Sequence, residues 1–197
     1  MRDEWYGDKR DLVKWGVLLH RAKQHGVKKI LQVAYLRPST YGMLEIDGES
    51  HEVPEPVLGH FRCIGNIKDL KVPGLEIELL EMPLDDRASF ARHVALAIES
   101  MAGDGPNLVF LDPDTGLQPQ RPNLTHVLDE ELAAVHASLA PGDLLVLYQH
   151  ETNRRGQPWV SEKREQFENV LGLPRGTAKV ASGSEIARDL ALYYCVK

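Results

Sequence analysis

The stretch NLVFLDPDTGLQP, residues 107–119, runs an apolar segment straight into Asp112 and Asp114, which flank Pro113. Two carboxylates this close either share a proton or hold a cation, because like charges repel at short range. Asp112 stands at the first position after an apolar run, where a strand places it rigidly, and Pro113 removes a backbone donor that would otherwise tie up the turn. Asp114 also reads as an Asx-turn acid serving the amides of Thr115 and Gly116. A second group lies in LYQHETNRRG, where His150 sits between Gln149 and Glu151. Histidine titrates near neutrality and can act as base, acid or ligand, and Arg154 and Arg155 beyond it suit a phosphate. A third lies in WYGDKRDLVKWG: Asp8, Asp11 and Trp15 fall at i, i+3 and i+7 and share one helical face. Acids there complement the helix dipole or cap the helix. With Trp5 and Tyr6 they can instead form one wall of a pocket. The other seven histidines have no comparable neighbours and read as structural or solvent-facing. Lys163 and Arg164, mixed with Glu162 and Glu165, read as a solvated helix face.

The elements that must position these groups are legible from periodicity. Residues 8–25 predict a helix with Leu12, Trp15, Leu19 and Ala22 at helical spacing, Arg10, Lys14, Arg21 and Lys23 elsewhere, and Gly26 as its stop. KKILQVAYL, residues 28–36, predicts a strand that ends at Arg37-Pro38. Asp47-Gly48 predicts a hairpin turn, and residues 54–70 hold a short helix. Beyond these the expected order is strand 75–83, helix 88–101, strand 107–112, helix 126–139, strand 143–150 and helix 161–172, then a strand pair over 177–182 and 189–196. Strands alternating with helices imply βαβ units and a mostly parallel sheet. The continuous apolar runs NLVFL and LLVLY fit strands covered on both faces. The expected fold is therefore a doubly wound α/β sheet, mostly parallel, with a C-terminal antiparallel strand pair, in a single domain spanning residues 1–197.

Ligands in such sheets bind outside the carboxyl ends of the strands. Four polar clusters then fall along one edge: Arg37, Ser39 and Thr40; Asp85, Asp86 and Arg87; Asp112 and Asp114; Gln149, His150 and Glu151. Asp112, His150 and either Asp8 or Asp11 are expected to border one cleft. The totals bound the rest. A chain of 197 residues with 43% hydrophobic and 26% charged residues matches an ordinary globular protein. Its net charge of -6 argues against a coat of nucleic-acid-binding charge. The two cysteines, Cys63 and Cys195, lie far apart without metal-ligand spacing, which favours a reducing compartment. The N-terminus lacks an apolar signal-peptide core and no apolar run is long enough to cross a bilayer. A cytoplasmic location is the expectation, with no membrane partner and with a small-molecule or nucleic-acid substrate left open.

Taken together, WYGDKRDLVKWG, VFLDPDTGL and GDLLVLYQH resemble a group of poorly characterised bacterial proteins carrying Y-x-G-D, L-D-P-D-x-G-L and Y-Q-H. More remotely, the apolar strand ending in LDPD is similar to the class I S-adenosylmethionine-dependent methyltransferases. Their amino-directed members end a strand in [D/N]-P-P-[Y/F], a motif in which Asp114 and Thr115 here replace the second proline and the aromatic. That resemblance implies a Rossmann-like fold, S-adenosylmethionine as cofactor, and Asp112 orienting the nucleophile of the acceptor. Arg37, Ser39 and Asp85 would line the cofactor side, with Asp8, Asp11, Gln149 and Arg154 toward the substrate. The residues leave two alternatives open. One is a hydrolase or nuclease in which Asp112 and Asp114 hold magnesium or manganese, His150 activates water and Arg154 clamps phosphate. The other is a non-catalytic domain that binds a nucleotide or a protein.

Overall fold

The computed structural model describes residues 6–37, 43–46, 48–54, 56–57, 63–103, 105–151, 158–183 and 185–197. Trp5, Ser39, Thr40, Asp47, Arg154, Arg155 and part of the short helix expected before residue 70 lie outside them. The strands are β1 (Lys29–Ala34), β2 (Met43–Ile46), β3 (Glu49–Glu52), β4 (Glu76–Leu80), β5 (Asn107–Asp112), β6 (Gly116–Leu117), β7 (His126–Val127), β8 (Leu144–His150), β9 (Lys179–Ser182) and β10 (Leu190–Val196). The helices are α1 (Lys9–His25), α2 (Arg87–Ser100), α3 (Asp129–Ser138) and α4 (Trp159–Leu171).

Six strands form one sheet in the order β4-β1-β5-β8-β10-β9. β4, β1, β5 and β8 are parallel neighbours, and β10 runs antiparallel to both β8 and β9. This is a Rossmann-like, doubly wound, mostly parallel sheet with an antiparallel C-terminal pair. β2 and β3 form the hairpin expected around residues 47–48, with Ile46 opposite Glu49. Within the expected short helix, a 3-10 turn covers Ile64–Asp69.

Every residue of β5 is buried, as are the first six of β8, because helices cover both faces of the sheet. Leu31, Val33, Val109, Leu111, Leu145 and Leu147 pack with Phe90, Leu132 and Phe167 from α2, α3 and α4. Alternate residues Ile30, Leu108, Phe110, Val146 and Tyr148 pack on the opposite face with Val13, Trp15 and Leu18 of α1.

Two expectations change. The inward face of α1 is Asp11, Lys14, Trp15, Leu18 and Ala22, while Leu12 is 70% exposed. Spacing alone favours Leu12, but a charged pair occupies the inner positions near the N-terminus, so the apolar count misreads the face. The helix expected from residue 126 starts at Asp129, because His126 and Val127 pair with Gly116 and Leu117 as β7 against β6.

From β1 the chain passes to β4 on one side and then crosses to β5 on the other. The crossovers diverge there, opening a crevice beyond the carboxyl ends of β1 and β5. Such a switch point is where open α/β sheets bind ligands.

Candidate active site at the switch point

A cleft of about 370 Å³ opens at this point, lined by residues of α1, β8 and the segments following β1 and β5. Its volume falls within the range of about 300–1,000 Å³ usual for small-molecule sites. Asp8, Arg37, Asp114 and His150, four of the expected residues, line it, joined by Arg10, Lys14 and Tyr148.

Asp112 lies one layer behind this lining. It is 0% exposed and covered by Lys14, whose Nζ is 2.9 Å from Asp112 Oδ1 and 3.0 Å from Asp11 Oδ1. Gln32 Nε2 donates to Asp112 Oδ2 at 2.8 Å. The register explains this contact. Asp112 sits opposite Ala34, so Gln32, two residues earlier on β1, projects from the same face toward it. Asp11 also accepts the backbone N–H of Gly7 at 2.6 Å. Burial works to lower the Lys14 ammonium, but Asp112 and Asp11 outweigh it and hold the amine above its ordinary value, so Lys14 is a fixed cation. Burial pushes the Asp11 carboxyl up, opposed by Lys14. The Lys14 ammonium also stands 4.5 Å from the centroid of the Tyr148 ring, a cation–π contact.

Asp8 caps α1, accepting from Arg10 N at 2.7 Å and Asp11 N at 3.2 Å. Arg10 reaches across the cleft mouth, from Asp8 at 3.0 Å to Asp189 at 2.5 Å. Burial works to raise the Asp189 carboxyl, and Arg10 more than reverses it, leaving Asp189 below its ordinary value. Arg37 pairs with Asp114, tying the end of β1 to the end of β5 across the crevice.

Gln149 has a structural role. Fully buried, it accepts from Leu117 N at 2.9 Å and donates to the carbonyls of Thr115 at 3.0 Å and His150 at 2.8 Å. This amide holds the turn after β5 against β8. Gly116 is required there, since its φ is +125° and any Cβ would collide with the Gln149 side chain. His150 donates its backbone N–H to Thr115 O at 2.7 Å, and its Nδ1 lies 3.4 Å from the Tyr148 hydroxyl. Burial raises the Tyr148 hydroxyl well above its ordinary value, so it stays neutral. Asp85 is exposed beyond the Leu36–Pro83 bridge, outside the cleft. Its neighbour Asp86 caps α2, accepting from Ala88 N and Ser89 N.

Arg10, Lys14, Gln32, Tyr148 and Asp189 were not among the expected site residues. Three carried a signal. Lys14 is three residues after Asp11 on the face of Trp15 and Leu18, Gln32 is a polar residue inside an apolar strand, and Tyr148 is two residues before His150 on one strand face. Asp189, remote in sequence, carried none.

No family model matches the chain, and no curated protein matches it in sequence. Among solved structures, the chain is similar to a "putative methyltransferase" from Thermobifida fusca YX. That pair has 13% identity and a TM-score of 0.44, covering 96% of this chain and 80% of the other. It is also similar to a DUF574 family protein from Streptomyces avermitilis MA-4680, at 10% identity and a TM-score of 0.45, covering 96% of this chain and 82% of the other. Likenesses this weak say nothing about chemistry.

Proposed function

We propose that the switch-point cleft is the active site of a methyltransferase-type enzyme that takes S-adenosylmethionine. The observation that carries this reading is the cleft's position at the crossover between β1 and β5, lined by charges of both signs. The charge pattern suits the cofactor's donor set. Arg37 would hold the carboxylate of the cofactor's zwitterionic amino-acid group, and Asp114 or Asp8 its ammonium. When bound, the cofactor supplies an electrophilic methyl group.

The chain's own residues do the rest. Lys14 forms a fixed positive floor, and Asp112 acts through Lys14, setting where that cation stands. His150 sits at the rim, where an acceptor's proton can be taken up. The metal-dependent alternative draws less support. Asp112 and Asp114 are each bonded to a cationic side chain. Among the described residues, no group of three or more His, Cys, Asp or Glu is placed to hold a metal.

The test is a thermal-shift and calorimetric titration. Millimolar S-adenosylmethionine should raise the melting temperature, because a ligand that binds only the native state stabilises it by mass action. Arg37→Ala should weaken binding by about tenfold, as expected for one lost charge-assisted bond. A silent S-adenosylmethionine titration combined with a shift from manganese would transfer the site to metal chemistry.

A further inference from the structure

We propose that Thr115 is a specificity-determining residue of the cleft: its side-chain oxygen serves a ligand only as a hydrogen-bond acceptor, so the group placed against it must bring an N–H or O–H. Thr125 and Asn123 are positioning residues that enforce this polarity. The inference rests on the reading of the switch-point cleft as a ligand site, but not on the identity of the cofactor.

Thr115 and Thr125 both line the cleft, with their side-chain oxygens 3.1 Å apart. Backbone contacts hold the two residues in place. Thr115 N donates to Thr125 O at 3.0 Å, and the residues that follow, Gly116 and His126, pair as β6 and β7. From the other side, the Thr115 carbonyl accepts from His150 N at 2.7 Å and from Gln149 Nε2 at 3.0 Å. The backbone is therefore fixed from two directions, and a β-branched side chain on it is stiff at χ1.

The direction of the Thr115–Thr125 bond is set at the far end of a short chain. The backbone N–H of Thr125 donates to the Asn123 side chain at 2.9 Å, so the atom it meets is the amide oxygen. The Thr125 hydroxyl stands 2.6 Å from that same oxygen. Two oxygens this close share a proton, and an amide oxygen carries none, so Thr125 donates. His126 Nδ1, 3.2 Å from Thr125 Oγ1, leaves this polarity unchanged. As an acceptor it competes for the same Thr125 proton, and as a donor it takes a Thr125 lone pair. Toward Thr115, Thr125 Oγ1 can then only accept, and the Thr115 hydroxyl gives it its proton. Among the described residues Thr115 Oγ1 makes no other hydrogen bond, so lone pairs are what it offers a ligand. The Thr115 N–H is spent on Thr125, and Pro113 has no N–H to supply in its place.

A ligand that presents only lone pairs to this oxygen leaves both groups unpaired, and sites built to bond a substrate's N–H or O–H reject analogues lacking it. In the methyltransferase reading, Thr115 selects a substrate that carries a hydrogen on the nitrogen or oxygen it presents, and it disfavours tertiary amines and ethers.

Two measurements on the full chain test this. Neutron diffraction from a deuterated crystal should place the Thr125 deuteron toward Asn123 or His126 and the Thr115 deuteron toward Thr125. A Thr115 deuteron aimed into the cleft overturns the proposal. In solution, pyrrole and furan are rings of one size that differ in N–H against a bare oxygen, and the threonine methyl resonances report where each binds. Pyrrole should bind beside Thr115 about tenfold more tightly than furan, as expected for one hydrogen bond made rather than lost. That ratio should collapse in Thr125→Val, which keeps the side chain's shape and frees the Thr115 proton for the furan oxygen. A purely structural role for the hydroxyl pair would lower stability without moving the ratio. Equal binding of the two rings by the unaltered protein, or binding of neither, overturns the proposal whether or not the variant folds. A chain that prefers pyrrole but ignores S-adenosylmethionine keeps the Thr115 assignment and loses the cofactor reading.

Discussion

Buried acids stand at both edges of the sheet, satisfied in different ways. At the amino edge, Asp143 is 5% exposed and accepts backbone N–H groups from Asn107 at 2.7 Å and Ala140 at 2.9 Å. Glu168 of α4 does the same with Gly176 and Ala178, with Arg164 beside it. At the carboxyl edge, Asp112 is met by side chains, Lys14 and Gln32. Backbone donors staple a loop and can serve nothing else. Side-chain partners are held by packing, and they put a cation on the floor of a cleft. A buried carboxylate bonded to its own loop holds that loop, whereas Asp112, bonded to a buried lysine, holds a cation against a cavity.

The largest expected effect comes from removing Lys14. Lys14→Met leaves Asp112 and Asp11 facing each other without their cation, and breaking a buried pair this way costs about 3–5 kcal/mol. Urea denaturation measures the loss. Adding Asp112→Asn to Lys14→Met should recover part of it, because the double variant no longer buries that unpaired charge. A loss below about 1 kcal/mol, in the range of an exposed pair, would show that the cluster is solvated and erase the contrast with Asp143.

A middle-sized effect separates the two acids directly. Asp143→Asn loses one of the two acceptor oxygens that hold backbone amides, costing about 1–3 kcal/mol in denaturation with ligand binding unchanged. Asp112→Asn keeps the side chain's shape and leaves Lys14 bonded to Asp11, so the fold survives while cofactor binding and activity fall. Equal loss of binding in both variants would mean that the two edges do not differ in kind.

The smallest effect concerns pH. Burial lowers the His126 imidazole below its ordinary value of 6.5, aided by Lys163 and Arg87 and opposed by the Asn123 amide contact. A histidine that prefers to be neutral when folded contributes stability above its unfolded value, lost as pH falls through about 6.5 and below. Arg10–Asp189 acts lower, since a depressed carboxyl loses its contribution only as pH drops below 3.8. Melting temperature should therefore decline between about pH 7 and pH 5, and His126→Gln should flatten that slope. An unchanged slope would remove His126 from the account.

Sequence patterning reached most of the fold and part of the site. The apolar runs of β5 and β8 could be read as covered on both faces because their lengths and composition leave no polar side to face water. Parallel order followed from the helices between strands. Asp114 and His150 were placed at strand ends, and those ends prove to line one cleft. Gln149 looked equally chemical in the sequence, yet its amide is consumed in holding the Gly116 turn.

What the sequence determined by itself was the order of elements, the sheet type and the edge at which polar groups collect, because these follow from local periodicity and turn chemistry. Only the tertiary structure decided which charges are partnered. Lys14 and Asp112 are 98 residues apart, and their pairing depends on α1 packing along one face of the sheet with its N-terminal turns near the end of β5. No local pattern encodes that docking. It follows from burying Trp15, Leu18 and Ala22 on the sheet, which carries Lys14 inward to the buried carboxylate.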